Sequence, residues 1–164
     1  MNIHEYQAKQ LFLEYGIPVP DGKQTATSEN AIEITNRLGG ESWVVKAQVH
    51  AGGRGKVGGV KLTKNSAEIA DICKSMLGGR LVTQQTDAAG LPVNEVLIER
   101  TYPIVRELYL SLLVDRNSER MIFIASAAGG MDMETVAHET PEQIKSVIIN
   151  PVAGLQAYQC RMVA

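Results

Sequence analysis

Apolar residues recur along this chain at two periods, and the switches between them mark out its elements. Ile3, Tyr6, Leu11, Phe12 and Tyr15 fall at helical spacing and predict a helix over residues 3–15. Asn2 can cap it, and Gly16 with Pro18 ends it. Pro18 and Pro20 keep 17–22 extended. Ser28 can cap a second helix that turns Ala31, Ile34 and Leu38 inward and stops at Gly39-Gly40. The period then shortens to two. Trp43, Val45, Ala47 and Val49 share one side of a strand over 43–49, and Val44, Lys46, Gln48 and His50 share the other.

The same alternation continues. Asn65 or Ser66 caps a third helix with Ile69, Ile72, Cys73, Met76 and Leu77 as its inner stripe and Gly78-Gly79 at its end. Residues 81–85 read as a strand, 86–92 as a surface turn and 93–100 as a strand, with a break at 101–103. A long strand over 105–115, a hairpin turn at 116–119 and a return strand over 120–126 follow. Thr140-Pro141-Glu142-Gln143 has the form of a capping box with proline at the first helical position. Residues 159–164 read as the first turn of another helix. Helices alternating with strands argue an α/β or α+β class.

Chemistry concentrates in residues 44–59, Val-Val-Lys-Ala-Gln-Val-His-Ala-Gly-Gly-Arg-Gly-Lys-Val-Gly-Gly. A strand carrying Lys46 runs into a loop with five glycines and two cations, Arg54 and Lys56. Consecutive backbone N–H groups in glycine turns make an anion-binding concavity. A lysine on a rigid strand beside it is a natural phosphate contact. Three other phosphate motifs fail here. Gly53-Arg54-Gly55-Lys56-Val57-Gly58 spells the dinucleotide fingerprint, but β-like Val60-Lys61-Leu62-Thr63 follows where that motif needs a helix. Gly55-Lys56 is followed by Val57, not by the Ser or Thr of a P-loop. In protein kinases the glycine loop precedes the strand lysine, and here the lysine comes first. What survives is a hairpin-like flap able to fold over a polyphosphate, with a plain flexible hairpin as its alternative.

Glu99 closes an apolar strand, and Glu107 shares a strand side with Tyr109 and Ser111. Either carboxylate can accept ribose hydroxyls, and either can equally be a solvated residue or a surface ion pair. His4, His50 and His138 show no metal spacing. Cys73 and Cys160 stand far apart without a C-x-x-C pattern, which suits free thiols in a reducing, cytoplasmic setting. The 164 residues suit one domain, and a hydrophobic share of 45% suits a globular chain. A net charge of −2 and 5% aromatics argue against a nucleic-acid surface.

Three segments carry a resemblance: Met1-Asn2-Ile3-His4-Glu5-Tyr6-Gln7-Ala8-Lys9, Trp43 to Lys56, and Arg106-Glu107-Leu108-Tyr109. Together they resemble the β subunits of ADP-forming succinate–CoA ligases, with malate–CoA ligase β subunits and non-catalytic nucleotide-binding fragments as alternatives. The resemblance runs the length of the chain. It implies an ATP-grasp fold of mixed sheets with flanking helices, of which this chain is the N-terminal portion. Residues 21–101 would form the smaller, nucleotide-covering lobe, and 1–20 with 102–164 the start of a second, truncated lobe. It further implies that Lys46 contacts phosphate and that the Gly53-Arg54-Gly55 backbone covers the phosphates. Glu99 to Tyr102 would meet the adenine edge, Tyr102 through its backbone only, and Glu107 would face the ribose. The implied ligands are ATP or ADP with Mg2+, the metal being held by residues beyond 164. The implied partner is an α subunit carrying the phosphohistidine and the CoA site, in a heterotetramer. No histidine of this chain is implied as the relay, no catalytic residue is expected here, and this portion alone is expected to lack turnover.

Overall fold

A computed structural model describes residues 3–131 and 133–164. The chain forms two compact units that divide between Tyr102 and Pro103. The first is built on four strands, β1 (Gly22–Thr25), β2 (Trp43–Ala47), β3 (Val60–Thr63) and β6 (Val96–Arg100), in the order β1-β6-β2-β3. Each of these pairings is antiparallel. A two-stranded ribbon, β4 (Arg80–Leu81) with β5 (Leu91–Pro92), stands beside them. Where mixed sheets were expected, every strand pairing among the described residues is antiparallel, the α+β form of the expected class.

The period-two pattern of β2 decides which side is core. Trp43, Val45 and Ala47 are buried, and Val44 and Lys46 between them are not. Helices α2 (Ala31–Leu38) and α3 (Ile69–Met76) cover that side. Ala31, Ile34, Ile69, Cys73 and Met76 meet Val45, Ala47, Val96 and Ile98 in one apolar cluster. Burial pushes the Cys73 thiol up to about 11, so it acts as a small apolar filler. The predicted cap at Ser28 is displaced to Asn30, and Asn65 caps the turn before α3, accepting from the Ala67 N–H at 3.1 Å.

Helix α1 (Glu5–Glu14) departs from its predicted stripe. None of its residues is buried, and Leu11, Phe12 and Tyr15 stand exposed. The proposed Asn2 cap lies outside the described residues; the His4 N–H donates to Gln7 Oε1 at 2.8 Å. By its contacts α1 belongs with the first unit, whereas residues 1–20 were expected with 102–164. Its polar residues make the attachment, as described below.

The predicted strand over 81–85 stops at Leu81. Thr83 Oγ1 accepts from the Gln85 N–H at 3.1 Å and Thr86 Oγ1 accepts from the Thr83 N–H at 3.0 Å, so a side-chain turn replaces the ladder.

The second unit is a sheet in the order β7 (Tyr109–Asp115), β8 (Arg120–Ser126), β9 (Ile144–Ile148). The predicted hairpin is present. Asp115 Oδ2 accepts from the Ser118 N–H at 3.0 Å and its hydroxyl at 2.6 Å, and Glu119 takes a φ of 52°. The first strand starts at Tyr109, not Val105, so Glu107 precedes it. The capping box at 140–143 makes only a short 3-10 turn. Strand β9 follows at once, because Ile144, Val147 and Ile148 are β-branched and complete the ladder with β8. Helices α4 (Met133–Glu139) and α5 (Ala157–Val163) complete the unit. Leu108, just before β7, and Leu110, Leu112 and Val114, alternate residues along it, are exposed.

Candidate functional site

The glycine-rich segment is a hairpin. Strands β2 and β3 pair with Lys46 opposite Val60, and the Ala47 N–H donates to the Gly59 carbonyl at 2.8 Å. A 3-10 turn, Arg54–Val57, makes the tip, bracketed by Gly53 at φ 71° and Gly58 at φ 79°. Those two left-handed positions are why the tip needs glycine. Gln85 anchors the outgoing arm, its Oε1 accepting from the Gly52 N–H at 2.7 Å.

Three of the predicted residues converge. Lys46 Nζ pairs with the Glu99 carboxylate from the neighbouring strand β6. Glu99 is 1% exposed, and its floor position depends on Gly22, where a Cβ would come within 2.7 Å of Glu99 Cγ. Arg54 folds back over the hairpin, Nη1 donating to the Ala47 carbonyl at 2.7 Å.

Two residues that sequence reasoning passed over complete the cluster, and both come from α1. Glu5 accepts from Lys46 Nζ at 3.0 Å through Oε1 and from Arg54 Nη2 at 2.5 Å through Oε2. Lys9 Nζ lies 3.0 Å from Glu5 Oε1 and also pairs with Glu99. Their signal was present as an i, i+4 acid–base pair on a predicted helix, a spacing more often found on solvated faces.

Electrostatics follow from this packing. Burial pushes the Glu5 carboxyl up, but Lys46, Arg54 and Lys9 outweigh it and bring its pKa from the ordinary 4.5 down to about 2. Burial likewise opposes charge on Lys46, yet hydrogen bonds to Glu99 and Glu5 hold its pKa above the usual lysine value. Three cations facing two carboxylates leave this group one positive charge. A cavity of about 390 Å³ opens beside it, lined by Glu5, His50, Gly52, Arg54 and Gln85.

Of the other predicted residues, two adjoin the cluster and two lie apart from it. Gly53 and Gly55 flank Arg54 in the hairpin tip. Tyr102 is exposed. Its hydroxyl donates to Asp21 Oδ2 at 2.7 Å and its ring lies 5.3 Å from the Arg100 guanidinium carbon. Glu107 falls in the second unit, exposed, against the Gly129-Gly130 turn. His50 stacks on His4 with ring centres 4.1 Å apart, and burial with the second imidazole lowers the His4 pKa. No group of three His, Cys, Asp or Glu side chains suited to a metal occurs among the described residues. Nor, among them, is any helix long and apolar enough to cross a membrane.

A family model described as an ATP-grasp domain matches residues 2–164. The chain belongs to the ATP-grasp family. It is 57% identical over 164 residues to the ADP-forming succinate–CoA ligase subunit beta of Alkalilimnicola ehrlichii. It is 55% identical to the subunit of the same name from Aeromonas salmonicida. Each match takes in 100% of this chain and 42% of the relative, so the ATP-grasp chain spans well under half the length of these proteins. Among solved structures, a dinucleotide-forming acetyl-coenzyme A synthetase 1 of Ca. Korarchaeum cryptofilum, in complex with coenzyme A and Ca-AMPCP, is similar with a TM-score of 0.70. That match covers 98% of this chain and 64% of the other at 20% identity, a likeness of fold.

Proposed function

We propose that this chain is the nucleotide-binding part of the β subunit of an ADP-forming succinate–CoA ligase. The complete complex would convert succinate, CoA and ATP to succinyl-CoA, ADP and phosphate. The observation that carries the reading is the convergence of Lys46 and Arg54 at the mouth of a glycine hairpin, within an ATP-grasp chain 57% identical to such a subunit. Lys46 on its strand and Arg54 braced by a backbone carbonyl offer two positioned cations to phosphate oxygens. Gly53 and Gly55 let the backbone approach the same oxygens. Glu99 favours the charged form of Lys46 from below. Glu99 to Tyr102 would line the adenine edge. In this reading residues 21–101 are the covering lobe.

Phosphoryl transfer on ATP needs charge neutralisation that a divalent cation supplies. The carboxylates nearest the site, Glu5 and Glu99, are engaged by lysine and arginine, so these residues do not fit a Mg2+ site. We place the Mg2+ ligands in the length of the relatives that this chain does not span. The α subunit, its phosphohistidine and its CoA site complete the proposed cytoplasmic heterotetramer.

The test is turnover by the complete β polypeptide containing this segment, assembled with its α subunit. Lys46→Ala should reduce ATP-, CoA- and succinate-dependent ADP formation at least 100-fold, the order expected when a positioned charge on the transferring phosphates is removed. Unchanged turnover would sink the assignment, and preference for malate would redirect it to malate–CoA ligases.

A further inference from the structure

We propose that Glu5 sets the affinity of the anion site: its carboxylate holds the place of a ligand phosphate between Lys46 and Arg54, and an incoming polyphosphate must displace it. The proposal rests on the nucleotide reading of the same cluster. Glu5 divides its two oxygens between cations from two different elements, Oε1 toward Lys46 on the strand and Oε2 toward Arg54 on the hairpin tip. A phosphate group would divide its oxygens in the same way.

The cations do not depend on Glu5 for their positions. Lys46 and Lys9 are each also paired with Glu99, and Arg54 is also held by the Ala47 carbonyl. The two carboxylates differ in depth. Glu99 is 1% exposed and forms the floor, while Glu5 is 21% exposed and lines the cavity that opens beside Arg54. Glu99 is therefore the permanent counter-ion and Glu5 the exchangeable one. A released Glu5 keeps a favourable setting, since it lies in the first turn of α1, where the helix dipole favours a negative charge. Without the Glu5 charge the group would carry two net positive charges instead of one, and its pull on an anion would rise.

The experiment is a pair of titrations on the chain, with ATP and with inorganic tripolyphosphate, comparing the unaltered protein with Glu5→Gln and Glu5→Asp. Glu5→Gln is expected to tighten both ligands by about tenfold, the factor for roughly one and a half kcal/mol. Its melting temperature should fall without ligand and rise further than normal with ATP. Glu5→Asp keeps the charge one methylene further back and should fall between; it also carries the test if the glutamine variant does not fold. ATP binding that is equal or weaker in both variants would overturn the role of Glu5 and leave the nucleotide reading standing. Tighter tripolyphosphate binding with no ATP binding would keep the role of Glu5 and overturn the nucleotide reading. Failure of every form to bind either anion would overturn both.

Discussion

Helices α1 and α3 are both attached to the first unit, and opposite forces attach them. Helix α3 brings Ile69, Cys73 and Met76 into an apolar cluster with Val45 and Ala47. Helix α1 buries no residue, leaves Leu11, Phe12 and Leu13 exposed, and is attached through Glu5 and Lys9 to Lys46, Arg54 and Glu99. A hydrogen bond from the Tyr6 N–H to Gln48 Oε1 at 3.2 Å adds to this. Apolar burial scales with area and carries no charge to titrate, to screen or to exchange with an ion. Ion pairs with partly wet partners respond to all three. The difference teaches where this fold is fixed and where it can exchange partners: the exchangeable contact is the one that holds the candidate ligand cations.

The largest effect should come from breaking the fixed helix. Ile69 is fully buried, and Ile69→Ala should cost about 3 kcal/mol, read as a lowered midpoint in urea denaturation. Next is Glu99→Gln, which leaves Lys9 and Lys46 to share Glu5. We expect about 2 kcal/mol, below the full cost of breaking a deeply buried pair because both lysines retain some water. The same denaturation series checks it, and a loss exceeding that of Ile69→Ala would mean that charge, not apolar burial, dominates the unit.

The smallest effect sharpens the contrast by pH. The folded pKa of Glu5 lies below its ordinary value, so its stabilisation is fully present above pH 4.5 and drains away as pH falls toward 2. Backbone amides of α1 should lose exchange protection across that window before those of α3 do. Equal loss in both helices would contradict the division drawn above.

Much of the first unit was legible because its burial obeys simple periods. The alternation at 43–49 and the stripe of residues 69–76 each named the core side correctly. The flap was legible too, because β-like residues 60–63 follow the glycine loop where a dinucleotide motif needs a helix. Two failures share one cause, which is that tertiary pairing overrides local pattern, and a third is a local turn that the strand pattern hid. Residues 140–143 carry a helix-start signature, but ladder bonds to β8 draw the chain into β9. Thr83 and Thr86 replace a predicted strand with side-chain turns. Apolar α1 positions do not face inward, because its polar side has partners 41 to 90 residues away along the chain. No local reading could have supplied those partners. For the same reason Lys46, Arg54 and Glu99 stood out along the chain while Glu5 and Lys9, which meet them in the cluster, were passed over.

The most direct test of the central claim, that the Lys46–Arg54 cluster receives a nucleotide polyphosphate, is calorimetric titration of ATP into the chain and into Lys46→Ala. The account predicts saturable binding by the unaltered chain and at least a tenfold loss in the variant, with the fold intact by circular dichroism. Equal ATP affinity in the two proteins would contradict it and leave the glycine hairpin as a structural turn.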